Sequence, residues 1–457
     1  MVHIFNHNYN GELYNFLWDV ESGSLHNVDD AAFLCAKKRY SRTFDTEEEA
    51  KFKAIDKELV KQINNEFDLL EKEGSLNAPP QITEFHKDAD EVKALCLNVC
   101  HDCNMRCSYC FADGGSYHTA ERAYMSKEVA RKAVDFHIEN SGKRKNLEID
   151  FFGGEPLLNL SVIKDTVEYA KQQAKQNGKF FNFTTTTNCV LLDDQTIDYL
   201  NKEMCNVVLS LDGREETHNK VRRCLDKNMG YKQILENAKK MKKTRGDKSY
   251  YVRGTFTALN LDFSKDILKL NDEGFDQISV EPVVTNIPSL EIKDENIEQI
   301  KKEYQTFANE YLNRRQTDKW FNFFHFMNDL ETGPCVNKRM TGCGAGTEYL
   351  SVSPNGDIFP CHQFVGISEF KIGNVFKSID RQDVRQRFSG VSVLSKPECK
   401  ECFAKYYCGG GCMANSYKYG KGLDSIYEKG CELTRKRFEL SLAINGIEKI
   451  MEQKGNG

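Results

Sequence analysis

The chain has 457 residues, of which 40% are hydrophobic and 29% charged, with a formal net charge of −5. That length predicts two or three domains, and the composition is that of a soluble globular protein with ample material for a core. No run of eighteen apolar residues marks a transmembrane helix, "MVHIFNHNYNGELYNF" lacks the basic-then-apolar pattern of a signal peptide, and the charge gives no bulk attraction to nucleic acid or anionic lipid, so a cytoplasmic protein with neither a nucleic acid nor a membrane as partner is expected.

Residues 2–27 read as three short strands, "VHIFN", "LYNFLWDV" and "SLHNV", turned by Gly11 and by Ser22 to Ser24. Helices follow. Asp29 or Asp30 can cap "AAFLCAKKRY", and Thr46 with Glu49 reads as a capping box ahead of "EAKFKAIDKELVKQINNEFDLLEKEG". Strands then helices over residues 1–75 resemble a winged helix. Residues 76–92, with Pro79 and Pro80, read as a linker.

From 93 to 310 strands and helices alternate. Candidate strands are 93–99, 147–153, 180–187, 206–213, 250–258 and 276–284, with helical stretches such as 126–140, 161–177 and 231–244 between them. Six β-then-α units predict a parallel sheet with right-handed crossovers, an incomplete α/β barrel whose active site forms at the C-terminal ends of its strands. The Lys-rich "KKMKKTRGDK" (239–248) reads as a solvated helix end. In the remainder, 311–457, cysteine and glycine become dense and regular structure short, as in a small domain built around metal. A helix over 432–453 closes it.

Seventeen cysteines are many for a chain without an export pattern. In such a chain clustered cysteines point to metal rather than to disulfides. Five fall within 96–110 and eight within 335–431. Cys35, Cys189, Cys205 and Cys224 stand apart and read as small buried hydrophobes.

"CLNVCHDCNMRCSYC" (96–110) holds two overlapping C-x3-C-x2-C frames. Three thiolates so spaced can wrap one corner of a [4Fe–4S] cube and leave the fourth iron open, which requires a loop. The frame Cys103, Cys107, Cys110 lies in the loop after a strand. The frame Cys96, Cys100, Cys103 places two of its members within the strand, where Cys96 and Cys100 read as barrel-interior packing, with a redox or spare-ligand role as the rival. Tyr109 precedes Cys110, and this C-x3-C-x-aromatic-C form resembles the signature of radical S-adenosylmethionine (radical SAM) enzymes. In that family the open iron chelates the amino and carboxylate groups of S-adenosylmethionine, and the aromatic residue lies near the adenine.

The resemblance continues downstream. "FFGGEP" (Gly153, Gly154, Glu155, Pro156) ends the second barrel strand, where the family's GGEP-like motif binds the methionine amino group through its backbone. Asn188, Ser210 and Asp212 also end strands, and "HNKVRR" supplies Arg222 and Arg223. The resemblance implies that Ser210 and one of these arginines hold the methionine carboxylate, which suits an arginine fork, and that Glu281 in "SVEPVV" contacts the adenosine. Structural polar roles are the alternative for each.

In the C-terminal part, Cys343 is followed by twelve residues, Gly356, four residues and Cys361. "CKECFAKYYCGGGC" then places Cys399, Cys402, Cys408 and Cys412 in a C-x2-C-x5-C-x3-C run, and Cys431 follows. These seven resemble the SPASM domain, an appendage of radical SAM peptide maturases with two auxiliary iron–sulfur clusters; a pair of zinc sites is the physical alternative. The resemblance implies an outer cluster on Cys399, Cys402, Cys408 and Cys431, and an inner one on Cys343, Cys361 and Cys412. Cys335 either completes the inner set or leaves an iron open to a substrate thiolate. Gly409 to Gly411 would let the backbone pack against a cluster.

Sulfatase maturases carry an Asp directly after the cysteine matching Cys361; here it is His362. "GPCVNKRMTGCGAGTEYLSVSPNGDIFPCHQFVG" (333–366) instead resembles the maturases of SCIFF peptides (six cysteines in forty-five residues), which join a cysteine sulfur to a carbon as a thioether. Residues 1–75 would then be a recognition element that pairs a leader peptide as an extra strand on an edge in "LYNFLWDV" or "SLHNV". The implied enzyme carries three [4Fe–4S] clusters and S-adenosylmethionine, acts on a cysteine-rich precursor peptide, and receives electrons from a donor such as a flavodoxin or ferredoxin. S-adenosylmethionine is split reductively, the 5′-deoxyadenosyl radical takes a hydrogen atom from the peptide, and a thiolate closes the C–S bond. The surplus electron leaves through the auxiliary clusters. His362 would take the thiol proton or be structural. The other readings are a SPASM maturase forming a C–C bond or formylglycine, and a metal-stabilised peptide-binding module without redox chemistry. GGEP beside an open-corner cluster motif favours an enzyme.

Overall fold

A computed structural model describes residues 1–41, 43–87, 91–118 and 122–455. It begins with an antiparallel sheet of β1 (Val2–Tyr9), β2 (Glu12–Asp19) and β3 (Ser24–Val28), followed by α1 (Asp30–Tyr40), α2 (Thr46–Lys53) and α3 (Lys57–Glu73). Period-two alternation splits β2 between two cores. Leu17 meets Cys35, Ala36, Ile63 and Phe67 of the helices, while Phe16 and Trp18 join the main core on the other face. β2 is paired on both sides from Asn15 to Asp19, so most of "LYNFLWDV" offers no edge; β1 and β3 are the edges.

Asp29 caps α1 by accepting from the Ala32 N–H. The capping box before α2 is Asp45 with Glu48, one residue earlier than Thr46 with Glu49, because the Asp45 side chain accepts from Glu48 N and the Glu48 side chain from Asp45 N. The stretch 76–92 is no free linker. Leu76, Ala78 and Val92 are buried, and Lys87 is held by Thr341 Oγ1 at 2.8 Å and Glu348 at 3.2 Å. Its residues 88–90 lie outside the described residues.

The barrel runs β4 (Ala94–Cys100), β5 (Met105–Cys107), α4 (Lys127–Glu139), β6 (Asn146–Gly153), α5 (Leu160–Asn177), β7 (Phe180–Thr187), α6 (Asp194–Glu203), β8 (Asn206–Ser210), α7 (Glu215–Val221), β9 (Arg222–Cys224), α8 (Tyr231–Arg245), β10 (Tyr250–Phe256), α9 (Ser264–Asp272), β11 (Gln277–Pro282) and α10 (Asp294–Arg315). β4, β6, β7, β8, β10 and β11 are parallel and adjacent in chain order. This is the expected six-stranded partial barrel. On β6, Leu147, Ile149 and Phe151 are fully buried, each contributing about 1.5–3 kcal/mol, while Glu148, Asp150 and Phe152 alternate to the barrel interior. β5 and β9 form a separate antiparallel pair.

The C-terminal region comprises β12 (Asn322–Phe323), α11 (Val336–Thr341), β13 (Tyr349–Val352), β14 (Asp357–Phe359), β15 (Gly373–Asn374), β16 (Ser378–Ile379), α12 (Gln382–Ser389), α13 (Pro397–Lys400), α14 (Lys405–Cys408), α15 (Met413–Tyr419) and α16 (Glu428–Gly455). β12 extends the barrel sheet beyond β11. β13 pairs in parallel with β4, so β13 to β16 continue the same sheet from its opposite edge. α16 starts before the expected 432 and therefore takes Cys431 into its first turn. It packs on α10 and on the N-terminal sheet. A Cβ on Gly446 would stand 2.4 Å from the Phe16 ring, so a glycine there is what lets α16 approach. Among the described residues no helix is long and apolar enough to cross a membrane.

Candidate active site

β4 delivers the chain into the loop that carries Cys103, Cys107 and Cys110. The β5–β9 pair pins this loop, with Cys107 opposite Arg222. Burial, then Glu155 and the neighbouring Cys107 and Cys110, push the Cys103 thiol up to about 12. Burial pushes Cys107 to about 11 against the pull of Arg222. The three thiols are thus mutual neighbours. Cys100 is turned away, its Sγ donating to the Glu155 carbonyl at 3.0 Å. Cys96 is buried in the barrel interior beside Asp150 and Tyr349. Of the lone cysteines, Cys35 and Cys189 are buried as expected, Cys224 is half-buried on β9, and Cys205 is exposed, contrary to expectation.

Gly153 and Gly154 seat this loop. Gly153 has φ +139°, and a Cβ there would meet Cys100 O at 2.3 Å; a Cβ on Gly154 would meet Asp102 O at 2.0 Å. Gly154 N and Glu155 N donate to Cys100 O and Asp102 O, and Gly153 O accepts from Tyr117 Oη at 3.1 Å. Much of the motif's backbone polarity is therefore spent on the cluster loop. Pro156 opens a short 3-10 turn. The Glu155 carboxylate accepts from Leu157 N, Thr187 Oγ1 and Asn188 N at 3.1, 2.9 and 2.8 Å. Burial nevertheless pushes its pKa up to about 7. It brackets the ends of β6 and β7. Asn188 Nδ2 reaches Asn104 Oδ1 at 2.7 Å and Cys103 Sγ at 3.7 Å.

In the same loop, Tyr109 Oη donates to Asp212 Oδ2 at 2.6 Å, and Arg222 Nη1 donates to Tyr109 Oη at 3.0 Å and stands 3.6 Å from Asp212. Asp212 also accepts from Thr255 N. Burial raises its pKa against the opposing charge of Arg222. Ser210, at the end of β8, lies in register with Arg253 of β10. The two adjacent arginines separate: Arg222 is buried, while Arg223 is exposed. Glu281 already has two basic partners. It is 3.0 Å from His325 Nε2 and 3.5 Å from Arg437 Nη1. Burial pushes its pKa up, but His325, Arg437 and Arg253 hold it well below the usual range.

His362 lies against Phe152 and Phe111, with ring centroids 5.0 and 5.4 Å away, and its Nδ1 is 3.4 Å from Tyr349 Oη. Burial, then Arg253 and Lys418, lower its pKa to about 4, so the ring is held neutral among its aromatic neighbours, the setting of the structural alternative. Asp150, Tyr349, Tyr117, His325 and Arg437 escaped the sequence reading. Asp150 carried a signal: it is an acid at an interior position of an alternating strand, and burial, then Glu148, push it up to about 6.

In the C-terminal region Cys399, Cys402, Cys408 and Cys431 line one pocket, together with Lys405, Gly410 and Arg435. Burial and neighbouring thiols raise Cys399 to about 11 and Cys431 to about 12. Cys361 is raised by burial and by Cys343 and Cys412, which gathers the inner three. Cys335 is exposed at the start of α11. Gly409 packs on the backbone of Lys338 and Gly342, not into a thiol pocket. Among the described residues no three His, Cys, Asp or Glu side chains could hold a single metal ion. A zinc site, with Zn–S bonds of about 2.3 Å, needs its cysteine sulfurs closer together than thiolates bound to separate irons of a cluster.

Two domain models match: the radical SAM superfamily over residues 97–262, and SPASM, an iron–sulfur cluster-binding domain, over 343–403. The chain carries a radical SAM domain and a SPASM domain. It is 24% identical over 368 residues to a cysteine-type anaerobic sulfatase-maturating enzyme of Clostridium novyi (strain NT), covering 75% of this chain and 93% of that one. Its fold is similar to that of native anSMEcpe with bound AdoMet (TM-score 0.64, 19% identity, 78% of this chain and 100% of that chain). It is also similar to Streptococcus suis SuiB bound to precursor peptide SuiA (TM-score 0.51, 17% identity, 90% and 95%). The two domains imply iron–sulfur clusters and S-adenosylmethionine, and the grouped thiols on the radical SAM loop and in the SPASM pocket fit such groups.

Proposed function

We propose that the chain is a peptide maturase that installs thioether bridges in a cysteine-rich precursor. Cys103, Cys107 and Cys110 would hold a [4Fe–4S] cluster with S-adenosylmethionine on its open side. Cys343, Cys361 and Cys412, with Cys335 as a candidate fourth ligand, would hold an inner auxiliary cluster, and Cys399, Cys402, Cys408 and Cys431 an outer one. When bound, the first cluster and S-adenosylmethionine would supply the chemistry of hydrogen-atom removal by a carbon-centred radical.

One observation carries the reading. The end of the radical SAM loop, Cys110 to Ala112 with Tyr117, packs on Phe359 and Val365, which flank Cys361. A thiolate held at the inner auxiliary set would therefore face the chamber in which the radical forms, as C–S bond formation requires. Asn188 and the Tyr109–Asp212–Arg222 network would orient S-adenosylmethionine, and Phe111, Phe152 and His362 would keep water from the radical. Gly153, Gly154 and Ser210 would complete the methionine side.

The leader would add as a strand to the open edge of β3. There Phe16, Leu25, His26, Leu330, Lys449 and Ile450 line a cleft between the sheet and α16. A flavodoxin or ferredoxin would deliver electrons. The likeness to sulfatase maturases supports a second reading, formylglycine formation, against which stands His362 in place of an Asp. The test is anaerobic turnover with a cysteine-rich precursor. A product that loses two hydrogen atoms per bridge and resists thiol alkylation is expected; an aldehyde trapped by a hydrazide would replace the thioether reading with the second.

A further inference from the structure

The five residues between Cys402 and Cys408 are gripped by the N-terminal sheet. Trp18 Nε1 donates to Phe403 O at 3.3 Å, and the His3 ring stacks on Phe403 with centroids 3.6 Å apart. Trp18 also meets Tyr407 edge-on, at 6.0 Å. Glu21, in the turn between β2 and β3, accepts from Lys405 Nζ at 2.7 Å and from Tyr406 Oη at 2.8 Å. The Glu21 and Lys405 side chains are only 3% and 7% exposed. Lys405 lines the pocket of Cys399, Cys402, Cys408 and Cys431. The chain therefore places a buried cation in the segment between Cys402 and Cys408 and neutralises it with a carboxylate from a distant module.

We propose that Glu21 and Lys405 are positioning residues for the outer auxiliary cluster: their ion pair fixes the Cys402–Cys408 loop and sets the net charge beside the iron. The inference rests on the assignment of Cys399, Cys402, Cys408 and Cys431 to one cluster. Reduction potentials follow the net charge and hydrogen bonding around a cluster. In a water-poor site one uncompensated charge acts strongly on a neighbour, because little solvent screens it. Glu21→Gln keeps the shape and leaves the Lys405 ammonium uncompensated, which favours the reduced, more negative cluster. Lys405→Met leaves the Glu21 carboxylate uncompensated and disfavours it.

The experiment is an EPR-monitored redox titration of the reconstituted full chain, with the outer cluster's signal identified as the one lost in Cys402→Ala. The midpoint should rise in Glu21→Gln, fall in Lys405→Met, and return toward the wild-type value in the double variant. A purely structural clamp would shift both single variants the same way or not at all, and either result overturns the proposal. If the single variants fail to load iron, Tyr406→Phe decides: it withdraws one hydrogen bond from Glu21 without changing charge, a fall in midpoint is expected, and no change or a rise overturns the proposal. Iron, sulfide and zinc analysis of the wild type separates the two levels of inference. Zinc in place of an outer cluster removes the ligand assignment itself and the proposal with it, whereas a loaded cluster with unmoved potentials removes only the role of Glu21 and Lys405.

Discussion

The loop of Cys103, Cys107 and Cys110 and the segment of Cys399 to Cys431 both gather thiols, in opposite ways. The first draws its three from eight residues of one loop, and the barrel itself holds them through the β5–β9 pair and the seats at Gly153 and Gly154. The second spans α13, α14 and the start of α16 and is braced from outside, by Trp18 of β2 and Glu21 of the turn that follows it. A locally built site should survive damage elsewhere; an assembled one should register it.

The largest effect expected from this contrast is on catalysis. Cys107→Ala should abolish 5′-deoxyadenosine formation, while Cys96→Ala, a neighbour in sequence but not in the thiol group, should leave it largely intact. Turnover by the first variant, or its loss in the second, would reverse the choice of frame.

Trp18→Ala should cost roughly 3–5 kcal/mol of stability, because a fully buried indole leaves a cavity and an unpaired Phe403 carbonyl. Hydrogen exchange should accelerate in 403–407 and not in 103–110. Equal acceleration in both would erase the distinction between the two sites.

Glu155 offers a smaller effect on the locally built side. Its carboxyl rises from an ordinary 4.5 to about 7 on folding. The stability it contributes is therefore complete below pH 4.5, declines as pH climbs, and is gone above about 7. In the cluster-free chain, denaturant unfolding should show wild type losing about 3 kcal/mol relative to Glu155→Gln over that window. A flat difference would show that its three hydrogen bonds already offset the burial.

The smallest effect belongs to Gly446→Ala. A methyl group driven against Phe16 should cost about 1–3 kcal/mol, read as a lowered Tm, and should loosen the cleft beside β3 without touching the barrel loop.

The same contrast explains what could be read in advance. The barrel strands were legible because Leu147, Ile149 and Phe151 alternate with interior residues, and the grouping of Cys103, Cys107 and Cys110 because a loop and a strand treat cysteine spacing differently. Much of what a local reading could not reach depends on contacts made far along the chain. Only the β5–β9 pairing buries Arg222 beside Tyr109 and leaves Arg223 exposed. Glu281 finds Arg437, 156 residues away. Lys87, in a stretch that looks like a tether, is bonded 254 residues on. "LYNFLWDV" alternates as an edge strand would, and nothing local reveals that most of it is paired on both sides. The box at Asp45 was missed by one residue because Thr46 and Asp45 are both good caps.

At 28 residues, α16 is about 42 Å long, with Cys431 in its first turn, Arg437 on Glu281, and Gly446 under the N-terminal sheet. It is synthesised after every element it touches. On the ribosome, the underside of the first sheet, the counter-charge of the sixth barrel strand and the fourth outer thiol are all left waiting for one late segment. Final docking of the N-terminal module and completion of the outer thiol set therefore both wait for α16, although most of this chain lies between them.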